Sequence, residues 1–388
     1  MTEPIRRLAL VVGARPNFIK AAPILDALAQ IPRIEVTLVH TGQHYDPLLS
    51  DVFFDELSMR TPDVHLQVGS GSHAVQTGRV MERFEEFLIA QQNNGRPIDR
   101  VVVLGDVNST LACTLVASKM GIPVAHVEAG LRSFDRTMPE EINRVVTDSL
   151  ADLLLCSEPA GVENLRREGR GGRQIHLVGN VMIDTLFAFV EKAQNRTILE
   201  ELNLLPGGYG VVTLHRPSNV DDPDQLRGLI GVMIEISKQL PLVFAVHPRT
   251  ARALEEAKLK RQTNGSQIIM LGPQGYLDFL ALTSQAKLVM TDSGGLQEET
   301  TALGIPCLTL RSNTERPITL TEGASMLVGN DFDQLRAGVE AVLDGDYPNG
   351  RCPELWDGRA GQRIARILAD SLGLPAIEPV PALERAAA

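Results

Sequence analysis

The sequence contains 388 residues, of which 44% are hydrophobic and 22% charged, and its formal net charge is −11. This length predicts two domains, while the acidic balance and an aromatic content of only 4% exclude a typical nucleic-acid-binding surface. The apolar run Leu8 to Ala14 ends at Arg15 and is too short to cross a membrane. We therefore predict a cytoplasmic protein with no nucleic-acid partner and no membrane partner.

Short apolar segments alternate with amphipathic helical windows through the whole chain. The predicted strands are Leu8–Gly13, Val36–Thr41, Arg100–Leu104, Val124–Val127, Asp152–Cys156, Ile175–Val178, Gly210–Leu214, Leu242–Val246, Gln267–Leu271, Leu288–Thr291, Pro306–Leu310 and Met326–Val328. The predicted helices include Pro16–Gln30, Ser109–Met120, Glu140–Leu150, Pro223–Gln239, Leu296–Leu303 and Asp333–Leu343. This alternation predicts an α/β protein with two doubly wound, Rossmann-like domains, each built on a parallel sheet of about six strands.

The break between the two domains is predicted between Gly179 and Pro206, where the sixth strand ends and a Pro-Gly-Gly turn follows a helical segment. We assign residues 1–182 to an N-terminal domain and 183–361 to a C-terminal domain. A last helix, at about 362–375, is expected to pack back on the first domain. The Pro- and Ala-rich tail after Gly373 is predicted to be poorly ordered.

The cysteines give no sign of a disulfide framework or a metal site. No two of them are spaced as a metal-binding pair, and most lie in apolar segments. The four are Cys113, Cys156, Cys307 and Cys352. We predict that they are buried, reduced thiols.

Polar residues recur directly after the predicted strands, which is where open parallel sheets bind their ligands. In the first domain these residues are Arg15, Lys20, Gln43, His44, Asp106 and Glu128. In the second domain they are His215, His247, Ser293, Gly294, Gly295 and the segment Arg311 to Arg316. If both sheets present this edge to one cleft, the groups converge there.

Several of these residues also have a purely structural explanation. Asp106, Asn108 and Ser293 precede helices and are typical capping residues. Lys20 fits an exposed helix face equally well, and His44 alone fits an ordinary turn. The histidines that we predict to be structural are His65, His73, His176 and His126, the last of them buried in a strand beside Glu128.

The segment Asp292 to Glu299 follows a strand and opens a helix. Its two glycines let backbone amides approach an anion, and the helix N-terminus favours negative charge, so a pyrophosphate fits there. Glu298 or Glu299, one turn into the helix, suits a ribose diol. The first strand lacks the G-x-G-x-x-G fingerprint and the chain lacks a Walker A motif, so neither NAD nor ATP is favoured. Arg15 and Arg316 are the candidate cations for the phosphates.

Taken together, several segments of the sequence resemble the non-hydrolysing UDP-N-acetylglucosamine 2-epimerase family. The matching segments are Gly13–Lys20, Thr41–His44, Gly105–Thr110, His126–Arg132, Met138–Arg144, Val178–Asp184, Leu214–Arg216, Val246–Pro248, Thr291–Glu299 and Thr314–Pro317. They follow the family's order over nearly the whole chain, to about Gly329.

The resemblance implies a fold like that of the type-B glycosyltransferases, with the active site in the cleft between the domains. It implies reversible conversion of UDP-N-acetylglucosamine (UDP-GlcNAc) to UDP-N-acetylmannosamine (UDP-ManNAc) by anti elimination of UDP and its re-addition to 2-acetamidoglucal. The family uses no redox cofactor and requires no metal. Relatives also suggest a homodimer, for which the sequence itself contains no signal.

The resemblance also assigns roles to individual residues. Acid and base catalysis would fall to Asp106, Glu128 and Glu140, while Glu141 would point elsewhere on its helix, and His215 would contact the departing phosphate. The diphosphate would be held by Arg15, Lys20, His247, Ser293, Gly294, Gly295 and Arg316, and the ribose by Glu299. Gln43 and His44 would contact a second site or a loop.

Two segments depart from the pattern of many members. Ser133–Met138 is shorter and lacks a tryptophan, and Tyr45–Asp46 stands where members activated by a second UDP-GlcNAc often carry Arg-Glu. The sequence therefore does not predict allosteric activation. Both features also occur in relatives that epimerise UDP-2,3-diacetamido-glucuronate, so this sugar is the alternative substrate. The alternative from another reaction class is a type-B UDP-sugar glycosyltransferase, which would use the same UDP site.

Overall fold

The computed structural model describes residues 4–42, 56 and 59–374, apart from the side chain of Arg15, and the statements below concern these residues. The strands are β1 (Arg6–Val12), β2 (Ile34–His40), β3 (Val64–His65), β4 (Arg100–Leu104), β5 (Val124–Val127), β6 (Leu153–Cys156), β7 (Ile175–Leu177), β8 (Gly210–Thr213), β9 (Leu242–Ala245), β10 (Ile268–Leu271), β11 (Leu288–Thr291), β12 (Cys307–Thr309) and β13 (Ser325–Leu327).

Helices connect most of these strands. They are α1 (Arg15–Ala29), α2 (His73–Asn93), α3 (Asn108–Lys119), α4 (Pro139–Leu150), α5 (Pro159–Arg167), α6 (Val181–Gln194), α7 (Ile198–Glu201), α8 (Pro217–Val220), α9 (Pro223–Ser237), α10 (Pro248–Glu256), α11 (Tyr276–Ser284), α12 (Gly294–Leu303), α13 (Ile318–Thr321), α14 (Phe332–Asp344) and α15 (Ala360–Ser371).

The strands form two parallel sheets, one in each half of the chain. The first has the order β3-β2-β1-β4-β5-β6-β7 and the second the order β10-β9-β8-β11-β12-β13. In each sheet the order reverses beside the first strand of that half, between β1 and β4 and between β8 and β11, which is the usual place for a ligand in a doubly wound sheet. The predicted fold class is confirmed.

The register of the strands sets which residues share an edge. Leu104 of β4 pairs with Val127 of β5, and Val127 pairs with Leu155 of β6. In the second sheet, Thr291 of β11 pairs with Thr213 of β8 and with Thr309 of β12. The segments that follow these strands therefore emerge side by side at the carboxyl edge of each sheet.

The central strands are apolar because helices cover both faces of each sheet. All five residues of β4 are buried, as are the last five of β1. The expectation of about six strands per sheet missed β3, an edge strand of two residues that pairs with β2. Two residues are too few to produce a recognisable alternation of apolar and polar side chains.

The two halves are connected by α6, which packs on one side against α1 and α15 and on the other against α11 and α12. The last helix, α15, packs against α1 of the first half. Asp184 of α6 fixes the start of α15, since its carboxylate accepts hydrogen bonds from the amides of Ala360 (3.0 Å) and Gly361 (2.7 Å). The domain boundary at residues 182 and 183 stays a prediction.

Cys113, Cys156 and Cys307 are buried as predicted, but the prediction is wrong for Cys352, which is exposed. Cys352 lies in the polar loop that precedes α15 rather than in an apolar strand or helix.

Gln43, His44 and the tail beyond residue 374 lie outside the described residues. In the described part of the chain, we find no helix of the length and apolar character that spanning a bilayer requires.

Candidate active site

Glu128, directly after β5, is the buried carboxylate at the centre of the site. Its backbone φ is +72°, a left-handed conformation that is strained for a residue with a side chain. The side chain is 7% exposed, and its Oε2 forms an ion pair with Nζ of Lys20 from α1. Lys20 is itself buried, so the alternative that placed it on an exposed helix face is wrong.

Arg316 connects this carboxylate to the second half of the chain. Its Nη2 donates to Oε1 of Glu128 at 3.1 Å, its Nε donates to Glu298 of α12 at 2.6 Å, and its Nη1 forms an ion pair with Glu315. Glu128 follows a strand of the first sheet, whereas Glu298, Glu315 and Arg316 belong to the second half. The ion-pair network therefore crosses the interface between the two halves.

Asp106 follows β4 on the same sheet edge, next to Gly105. Its carboxylate accepts a hydrogen bond from Nη1 of Arg144, and its carbonyl accepts one from the side chain of Asn143 at 2.8 Å. Asp106 does not cap α3, because the N-cap position is Val107. Its side chain is 30% exposed, so the carboxylate remains accessible to a ligand.

Glu140 lies in the first turn of α4, three and four residues before Asn143 and Arg144. Residues with this spacing share one face of a helix, so Glu140 is on the face of α4 that contacts Asp106. Its neighbour Glu141 was expected to point elsewhere, but it also accepts from Nε of Arg144 at 2.9 Å, the arginine that holds Asp106. Its carboxylate accepts two further hydrogen bonds from the amides of Ser133 (3.0 Å) and Phe134 (2.9 Å).

His215 and His247 form a second cluster at the edge of the other sheet. Nδ1 of His215 lies 2.8 Å from Oδ1 of Asp292, a fully buried carboxylate that also accepts a hydrogen bond from the His215 amide. The side chain of His215 is 39% exposed, and Asp292 leaves Nε2 as the ring nitrogen available to a ligand. The ring of His247 lies 5.6 Å from that of His215, and its Nδ1 accepts from the amide of Arg249 at the start of α10.

The turn Ser293–Gly295 begins α12 and lies against Arg316. A Cβ atom at Gly294 would stand only 2.5 Å from Nη1 of Arg316, so a glycine is needed for this approach. Ser293 also caps α12, as its position before a helix predicted, since its Oγ accepts from the Leu296 amide at 3.5 Å. Because Arg316 contacts both the turn and Glu128, the two halves of the predicted site lie side by side.

Burial and neighbouring charges set the ionisation of these carboxyls. Burial alone would raise the pKa of Glu128, but Lys20 and Arg316 outweigh it and hold the pKa below its usual range. Burial is also the largest influence on Asp292, yet the hydrogen bond and charge of His215 lower the pKa of that carboxyl. Burial and the nearby His215 both lower the pKa of His247.

Two predicted site residues remain, Glu299 and Arg15. Glu299 of α12 is 7% exposed and lies one residue beyond Glu298. The main chain of Arg15 begins α1, but its side chain is not described. Among the described residues, no group of three or more His, Cys, Asp or Glu side chains is arranged to hold a metal ion.

The sequence reasoning missed several residues that build the site. Asn143 and Arg144 position Asp106, and Glu315 shares Arg316 with Glu128. The first two lie within a segment that matched the family, but nothing in their spacing indicates their partner. Glu158 follows β6 and is 1% exposed; the strand-end rule would have found it if it had been applied to that strand.

The fold and the candidate site are those of a two-lobed α/β protein in which one ion-pair network joins two parallel-sheet halves. A plant UDP-glucosyltransferase, from Polygonum tinctorium, has the same overall fold, with a TM-score of 0.56 at 15% identity over 95% of this chain and 99% of that one. At this identity the likeness concerns the fold alone.

The family follows from closer matches. The family model for UDP-N-acetylglucosamine 2-epimerase matches residues 26–369. The chain is 41% identical over 368 residues to a UDP-N-acetylglucosamine 2-epimerase of Methanocaldococcus jannaschii, covering 93% of this chain and 98% of the relative. The chain belongs to the UDP-N-acetylglucosamine 2-epimerase family, and the predicted family and type of enzyme are confirmed.

Two further matches bear on the substrate. The crystal structure of the M. jannaschii enzyme in complex with UDP-GlcNAc and UDP superimposes with a TM-score of 0.85 at 40% identity, covering 94% of this chain and 99% of that one. The chain is also 37% identical over 372 residues to a UDP-2,3-diacetamido-2,3-dideoxy-D-glucuronate 2-epimerase of Pseudomonas aeruginosa, covering 94% of this chain and 99% of the relative.

Proposed function

We propose that this protein interconverts UDP-GlcNAc and UDP-ManNAc by reversible epimerisation at C2. UDP leaves by anti elimination, 2-acetamidoglucal stays bound, and UDP adds back after the proton has returned to the other face. The observation that carries the proposal is the contact of Arg316 with both Glu128 and the turn at Gly294. This contact brings a carboxylate and an anion-binding turn to one place.

The nucleotide binds through the second half of the chain. The backbone amides of Gly294 and Gly295 at the N-terminus of α12 face the diphosphate, and Arg316 supplies a cation beside them. The amide of Ser293 is not available, because it donates to Oγ1 of Thr291 at 2.9 Å. His247, the N-cap residue of α10, contacts the same diphosphate, and Glu299 accepts hydrogen bonds from the ribose. Because negative charge grows on the leaving phosphate, these groups stabilise the transition state more than the bound substrate.

The first half supplies the acid and base groups. The low pKa of Glu128 keeps this carboxylate ionised at neutral pH, as a base that removes the C2 proton must be. We assign Asp106 and Glu140 to the opposite face of the sugar. His215, oriented by Asp292, donates to the departing phosphate oxygen through Nε2.

UDP-2,3-diacetamido-glucuronate is the second candidate substrate, and the relative from P. aeruginosa favours it. The identity to that enzyme is close to the identity to the M. jannaschii enzyme, at 37% and 41% respectively. Overall similarity therefore does not separate the two sugars. The homodimer that the resemblance suggests and the cytoplasmic location expected from the sequence stay predictions.

The test is an NMR assay in deuterated water with each UDP-sugar alone. We expect UDP-GlcNAc to give UDP-ManNAc with deuterium at C2, because the abstracted proton exchanges with solvent. If only the UDP-diacetamido-uronate is turned over, then that sugar, and not UDP-GlcNAc, is the substrate. If neither sugar gained deuterium and an added acceptor were glycosylated, the protein would be a glycosyltransferase and the proposal would be wrong.

A further inference from the structure

Glu158 is a buried carboxyl that the proposed reaction does not use. It follows β6, the strand beside β5, and it is only 1% exposed. The amides of Glu128 and Ala129 donate to the carbonyl of Leu155 in β6, at 2.9 and 3.1 Å. Glu158 therefore lies at the same sheet edge as Glu128.

Its side chain does not cap the helix that it precedes. Glu158 is the N-cap residue of α5, but its carboxyl accepts no hydrogen bond from that helix, whose first residue is Pro159. Oε1 of Glu158 is buried and has no hydrogen-bond partner among the described residues. A buried, unpaired oxygen of a charged carboxylate is strongly unfavourable, so this environment favours the neutral acid.

The charges at this interface also favour the neutral form of Glu158. We call the ionisable residues that meet here the seam: Lys20, Glu128, Glu158, Glu298, Arg311, Glu315 and Arg316. Its carboxyls, apart from Glu158, each have a cation within hydrogen-bond distance. The seam as defined holds four carboxyls and three cations, so a single retained proton balances its charge. Burial raises the pKa of Glu298 as well, but Nε of Arg316 donates to Glu298 at 2.6 Å, whereas no cation of the described residues lies within hydrogen-bond distance of Glu158, so we assign the proton to Glu158.

The charged neighbours of Glu158 come from several elements. They are Glu128 after β5, Glu298 of α12, and Glu315 and Arg316 after β12, with the thiol of Cys156 in β6. Burial first, and then the negative charge of Glu298, raise the pKa of Glu158 to about 8, although Arg316 opposes them. Three of the four charged neighbours are carboxyls, so ionising Glu158 adds negative charge where it is already concentrated.

We propose that Glu158 is a positioning residue that retains a proton at neutral pH, and that this proton keeps the seam balanced so that Arg316 holds the diphosphate of a bound UDP. The inference rests on the proposed function, because it takes UDP as the ligand. Loss of the proton places an unpaired negative charge beside Arg316. The ionised carboxylate competes with the diphosphate for the guanidinium, and it also repels the diphosphate. UDP affinity therefore falls as Glu158 ionises.

The experiment is calorimetric titration with UDP from neutral to alkaline pH. The proteins compared are wild type, Glu158→Gln and the control Glu163→Gln, which changes an exposed residue of α5. In wild type and in the control, we expect the Kd for UDP to rise above pH 8 by up to about tenfold per pH unit, the limit for one linked proton. Binding should then take up a proton, as measured in buffers of different ionisation enthalpy. In Glu158→Gln, the neutral amide should remove both the rise and the uptake.

A wild-type rise and proton uptake that persist in Glu158→Gln would overturn the inference. If that variant does not fold, NMR titration of isotopically labelled glutamate carboxyls in the wild type decides instead, with Glu158→Asp to assign the signal. A Glu158 carboxyl that titrates fully below neutral pH would overturn the inference as well. The experiment measures UDP binding rather than turnover. Proton-linked UDP binding by a protein that epimerises neither sugar would therefore refute the proposed function and leave this inference standing.

Discussion

Glu128 receives its two cations from distant parts of the chain. Lys20 lies more than a hundred residues before it and Arg316 more than a hundred residues after it, yet both contact the same carboxylate. Their charges outweigh the effect of burial, which by itself would favour the neutral acid. The side chain is thus both ionised and shielded from water, the combination that a carbon acid requires of its base.

Replacing Glu128 by glutamine keeps the size of the side chain and removes the base. We expect Glu128→Gln to lower epimerisation and C2 proton exchange by a factor of about 10² to 10⁴, the usual contribution of a positioned general base. UDP should still bind, because the Ser293–Gly295 turn is unchanged. The measurement is C2 deuterium incorporation by NMR alongside a UDP titration. Full exchange in Glu128→Gln, with exposed Glu163→Gln as the matched control, would remove Glu128 from the mechanism.

The start of α12 depends on a residue with no side chain. Gly294 admits the guanidinium of Arg316 to within contact of the turn, and this position gives Arg316 access to Glu298 and Glu128 together. The turn, the helix N-terminus and the arginine therefore act as one anion-binding unit.

We expect Gly294→Ala to weaken UDP binding by about tenfold or more, because its methyl group displaces Arg316 and a hydrogen bond to a charged group contributes about 1.5–3 kcal/mol. The matched control is Gly231→Ala in α9, where a Cβ would meet nothing within 4 Å. That change should leave UDP affinity unaltered and stabilise the helix by about 0.5–1 kcal/mol. Equal UDP affinities for the two variants would contradict the account of the turn.

The sequence predicted most of the elements, because most strands are short, largely apolar segments and helical windows separate them. It also located Glu128, Asp106, His215 and Ser293, since all four directly follow strands. It did not predict that Arg144 holds Asp106, because the pairing of distant charges depends on tertiary distances that local pattern does not contain. The strand β3 was missed for a local reason, its length of two residues.

After the second sheet, the described chain returns to its first half. Trp356, in the loop before α15, is 1% exposed and donates from Nε1 to the carbonyl of Ser157 at 3.1 Å. It packs in the same apolar cluster as residues of α1, α6 and α15. This indole therefore ties the C-terminal segment to the loop that carries Glu158.

We expect Trp356→Ala to lower the free energy of unfolding by about 3–5 kcal/mol, the usual effect of removing a large buried aromatic side chain. Trp356→Phe should lower it much less, because most of the apolar volume remains and only the hydrogen bond to Ser157 is lost. Denaturant unfolding followed by circular dichroism measures both. If Trp356→Ala were as stable as wild type, the packing of the C-terminal segment on the first half would not contribute to the fold.

The most direct test of the proposed mechanism is a crystal structure of the protein with UDP-GlcNAc. The predicted result places the diphosphate on the amides of Gly294 and Gly295 beside Arg316, with C2 of the sugar between Glu128 and Asp106. A diphosphate bound away from that turn, or a sugar ring out of reach of Glu128, would contradict the account.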